Sequence, residues 1–469
     1  MAAWVRRVGR VGKVGRVGKG KAPVLIVAFL LATQLYAAGR ADLPAAPDFP
    51  DLPDLPDLPD LPNLSPQVPY DQAIRDLASD KTEVRLSAVK MLKGAAYPEA
   101  AVPLSAAVTD SNDDIQLEAI AAELNIFFAE KVEVRKRVGL IVEVRNQIAA
   151  EAAFTKGPLA LGPRHVPAEV LTALENAARD DNPRVALEAL YAFGVLAVEP
   201  GGAARRDVLN AAGPTLAALT GAADPAQRYA ALRVIGRVFQ KRRQDEPVDP
   251  AVGDAVITLL NEKDRPLKLA AMEALGAMRY ERSVQALIDL FGYYKKGDEA
   301  SGALNALARI GHAAAAPIFA EQLQSKTSSM RGIAIEGIAR LGDRAKLSEV
   351  EAALRGERTD TVLFAGAFAT AMLTDTSIDA VAEGLARSRL HDQARQYLVE
   401  ITAKRPTALT RQAQDPDARV RADVADVLGL AGNPASLPLA ESLLKDADAQ
   451  VARAAERAVA RLRASLAGG

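Results

Sequence analysis

A short phrase that returns about every thirty residues constrains the fold of this chain more than any other feature. An acidic turn is followed by an apolar residue, often by Arg or Lys, then by small residues and an apolar pair before Gly. The clearest copies run from Asp415 to Gly429 and from Asp446 to Val459. Self-similarity at such a period is typical of a solenoid, in which one repeat cannot bury its own apolar face and stacks on its neighbours.

We take the apolar residue after the acidic turn as the anchor of each repeat. From most anchors, the residues four, seven and eight positions later are apolar or small, as they are after Leu267 and Val420. This spacing predicts one buried stripe on an α-helix. Another apolar helical stretch precedes most anchors, so each repeat is predicted to be two antiparallel helices joined by a tight turn. The anchors are Val84, Ile115, Val185, Gln227, Leu267, Ala300, Met330, Val362, Ala394, Val420 and Val451.

The acidic residues before the anchors are predicted to cap helices. An Asp at that place accepts hydrogen bonds from free N–H groups of the first helical turn, and its charge suits the positive end of the helix dipole. Pro225 and Pro416, next to such residues, are expected in a first turn that needs no donor there. The acidic pair Asp415 and Asp417 lacks the Gly and the closing acid of a calcium loop. We therefore expect a cap and no metal site.

A basic residue directly follows many of the anchors, and stacking of the repeats would align these residues into a row. Either each side chain bonds to a neighbouring repeat, or the row binds an anion such as nucleic acid. Acidic residues are as numerous as basic ones, 59 against 58, so we expect bonding to the neighbouring repeat and no nucleic acid partner. The basic residues are Arg85, Arg228, Lys268, Arg331, Arg395 and Arg421.

The phrase resembles the HEAT repeat, in the short form first named for phycobilisome lyases. The best copies run from Leu267 to Gly276, from Met330 to Gly342 and from Val420 to Gly429, and the resemblance covers residues 70–469. It implies an all-α protein, a right-handed α-α superhelix of the HEAT or armadillo type with about 11–12 helix pairs. It does not specify a function, because the family includes scaffolds, transport factors and a few enzymes.

Two segments of different composition precede the repeats. Residues 1–39 join a basic stretch to an apolar run, the order of a secretory signal peptide, and an uncleaved membrane anchor is the alternative. Residues 41–69 hold six Asp, nine Pro and no Lys or Arg, so residues 40–69 are predicted to be an extended, disordered linker. We expect a periplasmic or cell-envelope protein that contacts the membrane only through the first segment, if that segment stays uncleaved.

Patterns typical of catalysis or metal binding are missing from the sequence. The chain has no Cys, which excludes disulfides and thiol catalysis, and its three His are isolated. No HExxH or GxSxG motif occurs. We expect no catalytic residue, no cofactor and no metal. The sequence favours an exported scaffold that binds protein partners, and the alternative is an enzyme accessory or lyase-like catalyst that holds a ligand between repeats.

Two departures from the repeat are candidate partner contacts. The first is an irregular insertion over residues 130–168, with a predicted amphipathic helix around residues 132–154 and then a loop rich in Gly and Pro that carries Arg164 and His165. The second is the segment with Tyr293, Tyr294 and Lys295, because aromatic residues concentrate at binding hot spots.

Overall fold

Helices make up most of the chain that the structure describes. The computed structural model describes residues 70–128, 161, 164, 166–197, 203–240, 247–374, 376 and 378–467. These residues form 21 α-helices and no β-strand; Phe128 and Leu161 make an isolated antiparallel bridge. The predicted fold class, an all-α right-handed superhelix of stacked helix pairs, is confirmed.

The second helices of the pairs form one layer, in which each described helix packs on the next. Most of their anchors lie in the core, as shown by Ile115, Val185 and Leu267, which are at most 2% exposed; Val84 and Gln227 are only partly buried. The second helices are α2 (Thr82–Ala95), α4 (Asp113–Phe127), α6 (Pro183–Leu196), α8 (Pro225–Val238), α10 (Arg265–Met278), α12 (Asp298–Ile310), α14 (Ser328–Leu341), α16 (Asp360–Leu373), α18 (His391–Lys404), α19 (Ala418–Ala431) and α21 (Ala449–Ala467).

The first helices form the other layer and are mostly shorter. Before α19 the first helix is reduced to the 3-10 turn Gln412–Gln414. The described residues thus hold ten complete pairs and one reduced pair, in agreement with the predicted number. The first helices are α1 (Tyr70–Asp76), α3 (Ala101–Ala107), α5 (Ala168–Ala177), α7 (Ala203–Leu219), α9 (Pro250–Thr258), α11 (Val284–Tyr294), α13 (Ala316–Gln322), α15 (Leu347–Leu354), α17 (Asp379–Ala382) and α20 (Leu437–Ser442).

The acidic turns cap the second helices, as the sequence predicts. The carboxylates of Asp224, Asp264 and Asp417 accept hydrogen bonds of 2.9 to 3.0 Å from backbone N–H groups two or three residues further along. One prediction was wrong: Pro416 lies before the cap residue and outside the helix, which begins at Ala418. The cap is Asp417, two residues later than predicted, and the side chain of Asp415 instead accepts a hydrogen bond from the backbone N–H of Asp417.

Glycines of the repeat do two different things. Gly311 and Gly342 end α12 and α14 with φ angles of 68° and 72°, a left-handed conformation that favours Gly. Gly276 and Gly429 instead lie inside helices against the next second helix. A Cβ at Gly429 would come within 2.8 Å of the Cα of Ala458. The lack of a Cβ at Gly276 and Gly429 therefore allows the close spacing of successive second helices.

Several sequence-based predictions concern residues outside the described ranges. They are the signal peptide or anchor over residues 1–39, the linker over residues 40–69 and the amphipathic helix around residues 132–154. Within the described ranges, every helix is too short or too polar to cross a bilayer.

Candidate functional site

The basic residues that follow the anchors join each helix pair to the next. Three arginines of this row bind, through two nitrogens, a carboxylate in the turn inside the following pair. Each also donates to a backbone carbonyl six residues earlier. The expected bonding to a neighbouring repeat is confirmed. The pairs are Arg85 with Asp110 (2.7 and 2.9 Å), Arg331 with Glu357 (2.8 and 2.5 Å) and Arg421 with Asp446 (2.7 and 2.8 Å).

The carboxylates that pair with the arginines of this row stay ionised at neutral pH. A backbone N–H and the guanidinium of Arg331 lower the pKa of Glu357 to about 2. The hydrogen bonds from Arg85 lower the pKa of Asp110 in the same way. Because these charges are neutralised inside the chain, the row holds repeats together and offers little attraction to a polyanion.

The predicted contact segment at the end of α11 presents one aromatic ring to solvent. Tyr293 is 79% exposed, and its ring meets that of Tyr294 edge to face at 5.0 Å. The hydroxyl of Tyr294 accepts a hydrogen bond of 2.8 Å from Nζ of Lys268. Lys295 is exposed and ends the helix in a left-handed conformation with φ 60°. One tyrosine is therefore held by the chain and the other is free to contact a partner.

The other predicted contact spot lies elsewhere in the stack. Arg164 donates a hydrogen bond of 3.0 Å to the carbonyl of Ile126, near the end of α4, and His165 lies outside the described residues. Three helix pairs, α5 to α10, separate Arg164 from Tyr293. The structure does not bring the two spots together.

A further group of charged side chains, which the sequence does not reveal, lies near the ends of four second helices. Arg340 of α14 donates two hydrogen bonds, of 2.8 and 2.9 Å, to Glu400 of α18, and a third of 3.0 Å to Glu336. The Arg340 side chain is only 5% exposed. We call this group the central charged cluster; it consists of Arg279, Arg309, Glu336, Arg340, Glu400 and Lys404.

Aromatic rings support the central charged cluster. The hydroxyl of Tyr397 donates a hydrogen bond of 2.6 Å to Glu336, and its ring stacks on that of Phe368 at 4.1 Å. The guanidinium of Arg340 lies 5.3 Å from the centre of the Phe368 ring. Side chains of α14, α16 and α18 are thus fixed against one another by stacking and cation–π contact.

Opposite charges decide the ionisation of the buried pair. Burial lowers the pKa of Arg340, but the carboxylates of Glu400 and Glu336 outweigh it, so the pKa is raised. Burial raises the pKa of Glu400, but Arg340, Arg279 and Arg309 outweigh it, so the pKa is lowered. Both groups therefore remain charged at neutral pH.

Two cations of the cluster are less well compensated. Arg309 is half-buried and makes no hydrogen bond or ion pair with any described residue. Burial and then the charge of Arg340 lower its pKa. Burial also lowers the pKa of Lys404, and Arg279 adds to that effect. The cluster can therefore accept a further negative charge.

A single local signal in the sequence bears on this cluster. Glu336 and Arg340 stand four residues apart, a spacing that places them on one helix face. Nothing in the sequence indicates that α18 reaches α14, because the residues of the Arg340 to Glu400 pair lie 60 positions apart.

Several other candidate groups of the described chain are paired within it. Nε2 of His391 lies 2.8 Å from a carboxylate oxygen of Asp423, and Nδ1 of His312 accepts the N–H of Ala314. A cavity of about 440 Å³, open to solvent, lies beside α17, but Arg411 at its edge is paired with Asp379 at 2.8 Å. Within the described ranges, no three His, Asp or Glu side chains are grouped as metal ligands.

Comparison with known proteins places repeats of a known type in the middle of the chain. Residues 213–294 match the family described as HEAT repeats. No curated protein matches the sequence. Because the match covers a minor part of the chain, it supports HEAT repeats there and leaves the function open.

Three solved structures are among those similar to this chain. An engineered protein is 17% identical, with 85% of this chain and 99% of that chain covered and a TM-score of 0.38. The complex of CpcE and CpcF of phycocyanin lyase from Nostoc sp. PCC7120 is 18% identical, with 53% and 94% covered and a TM-score of 0.37. A complex of Kap95p with RanGDP is 13% identical, with 84% and 55% covered and a TM-score of 0.34. At these scores the likeness says nothing about what this chain does.

Proposed function

We propose that this chain is an exported, non-enzymatic scaffold that binds protein partners along its stacked helix pairs. The observation that carries the proposal is the layer of second helices, which presents side chains of successive repeats at fixed spacing from α2 to α21. Such a surface binds through many modest contacts spread over several repeats.

The exposed ring of Tyr293 is the proposed hot spot. Large apolar side chains with such exposure are uncommon in the described chain, and aromatic residues dominate the energy of protein interfaces. Its neighbours are suited to a contact, because Tyr294 holds the ring from the side and Lys295 adds a charge at the rim. Arg164 and His165 are a second, weaker candidate; Arg164, the described one of the two, lies on a different part of the stack.

Export is proposed from the first 39 residues alone. Their basic and then apolar composition supports a signal peptide or an anchor, and the zero count of Cys fits a chain that folds without disulfides. Mass spectrometry of the N terminus after cell fractionation tests this. A mature chain that starts near residue 40 in the periplasmic fraction supports cleavage, an intact N terminus in the membrane fraction supports anchoring, and an intact chain in the cytoplasm contradicts export.

Cross-linking and affinity capture from the cell envelope, with the exported chain as bait, test partner binding. Tyr293→Ala should lose a specific partner that the parent chain retains. Tyr97→Ala is the matched control, because Tyr97 is also exposed (46%) and also meets a second tyrosine edge to face. Capture that Tyr293→Ala and Tyr97→Ala weaken equally contradicts the hot spot, and the absence of any saturable partner contradicts the scaffold.

A further inference from the structure

Arg309 lies within a group of charged side chains on the layer of second helices. Among the described residues, this group holds the three carboxylates Glu273, Glu336 and Glu400, from α10, α14 and α18, and more cations than carboxylates. The helices of this layer pack side by side, so the side chains of several repeats share one patch.

Each of the three carboxylates already has a closer partner than Arg309. Glu273 binds Arg233 at 2.6 Å. Glu336 and Glu400 both bind Arg340, at 3.0 and 2.8 Å. These acids act on the Arg309 guanidinium only through space, and none of them forms an ion pair with it among the described residues.

The position of the Arg309 side chain is set by the packing of its helix. Its Cδ lies 3.3 Å from where a Cβ would stand at Gly276 of α10, so the aliphatic stem runs over a glycine of the preceding second helix. Half-burial removes water from a guanidinium that the chain does not hydrogen-bond. A side chain fixed in this way loses little conformational entropy when it binds an anion.

We propose that Arg309 anchors a carboxylate-binding site that takes an acidic segment, rich in Asp or Glu, of a partner protein. This inference rests on the proposed scaffold function and names the chemistry of the partner. A planar guanidinium binds a carboxylate through two parallel hydrogen bonds. Lys404, in the same charged cluster, supplies a positive charge for a further carboxylate of the same segment.

The charges around Arg309 favour a carboxylate over a phosphate group. Glu273, Glu336 and Glu400 act on the same guanidinium, and their repulsion grows with the charge of the incoming anion. A carboxylate carries one negative charge and a phosphorylated side chain nearly two. Two separated carboxylates therefore suit the site better than one concentrated dianion.

Fluorescence anisotropy with the purified, exported chain tests the site. The probe is a fluorescein-labelled ten-residue peptide of alternating Glu and Gly, compared with a peptide of alternating Gln and Gly and with one in which a single phosphoserine replaces two of the Glu residues. We expect saturable binding of the Glu peptide that weakens as salt rises, and at least tenfold weaker binding of the other two peptides.

Arg309→Gln should weaken binding of the Glu peptide at least tenfold and leave the melting temperature unchanged, because Arg309 makes no bond within the described chain. Arg309→Lys keeps the charge without the two-pronged geometry and should lie in between, which tests the site even if the Gln variant is poorly folded. Arg419→Gln is the control, since Arg419 is 87% exposed and far along the stack on α19.

Three outcomes would overturn the assignment. Equal weakening by Arg309→Gln and Arg419→Gln would mean unspecific charge attraction. Tighter binding of the phosphoserine peptide would make the site one for phosphopeptides. No peptide binding, in a chain that still captures a partner through Tyr293, would reject the carboxylate site and leave the scaffold function standing; loss of both would reject the two together.

Discussion

Arg340 of α14 binds Glu400 of α18 across the end of α16, with two hydrogen bonds of 2.8 and 2.9 Å. In a regular stack these helices would be separated by a full helix pair. Here α16 and α18 pack on each other only lightly, and the ion pair together with the stacked rings of Phe368 and Tyr397 closes the gap. The contact spans the place where the first helix, α17, is only four residues long.

Removing Arg340 should therefore destabilise the stack strongly. Arg340→Gln leaves Glu336 and Glu400 buried with less compensation, which typically costs about 3–5 kcal/mol. Urea unfolding followed by circular dichroism measures the shift of the midpoint. Arg387→Gln is the control, because Arg387 and its partner Glu383 are both well exposed, and its midpoint should not move. Equal midpoints for the two variants would contradict a structural role of the pair.

The row of arginines should contribute to stability in proportion to burial. Arg421→Gln removes two hydrogen bonds to Asp446 from a side chain that is 17% exposed, and we expect a loss of about 2 kcal/mol in the unfolding of the last helix pairs. Arg419→Gln, two residues earlier and exposed, should have no measurable effect. Hydrogen exchange at α19 and α21 checks this, and similar exchange rates in both variants would sink the explanation.

Close approach of second helices predicts opposite effects for two Gly to Ala changes. Gly429→Ala places a Cβ within 2.8 Å of Ala458 of the next helix, so α19 and α21 must separate, at a cost of about 1–3 kcal/mol. Gly292→Ala in α11 meets no atom within 4 Å and should stabilise by up to about 1 kcal/mol through helix propensity. Thermal unfolding measures both, and destabilisation by Gly292→Ala would count against this account.

Much of the fold could be predicted from the sequence because it depends on local chemistry repeated many times. The repeat period is visible in the sequence, and it predicts the anchors, the capping Asp residues and the basic row. Stacked neighbours are also neighbours in sequence, so a residue such as Arg421 finds its partner in the next repeat. The misplacement of Pro416 by two residues shows the limit of that precision.

The charged cluster could not be predicted in this way. Arg340 and Glu400 meet because the repeat at α17 is shortened. A shortened repeat changes the contacts of its neighbours, but the sequence around Arg340 or Glu400 gives no sign of it. That Arg309 forms no ion pair among the described residues is harder still to predict. It depends on each nearby carboxylate being bound to another arginine. Tyr293, in contrast, stands in a segment that departs visibly from the repeat, so the sequence could mark it as a candidate contact.

The sequence repeat predicts the burial of one acid, Glu123, although the sequence analysis does not single it out. Glu123 stands eight residues after its anchor, where other repeats place Leu92, Leu275 and Leu428 in the core. It is fully buried, and neither carboxylate oxygen has a hydrogen-bond partner among the described residues. Burial alone raises its pKa well above the ordinary value. The carboxyl group of Glu123 therefore occupies a core position at which these other repeats carry an apolar side chain.

Glu123→Leu should therefore stabilise the chain, and more so at higher pH. Because the folded pKa is raised, the folded state holds its proton more tightly, and the parent chain loses stability by about 1.4 kcal/mol per pH unit between the unfolded and the folded pKa. The gain should be smallest near pH 4.5, where only a neutral carboxyl is buried, and larger near pH 8 in urea unfolding. Glu118→Gln is the control. Glu118 lies on the same helix as Glu123 and is paired with Lys93 of α2 at 2.6 Å, and its replacement should show no such gain. A benefit of Glu123→Leu that is constant with pH would mean that Glu123 is not protonated in the core.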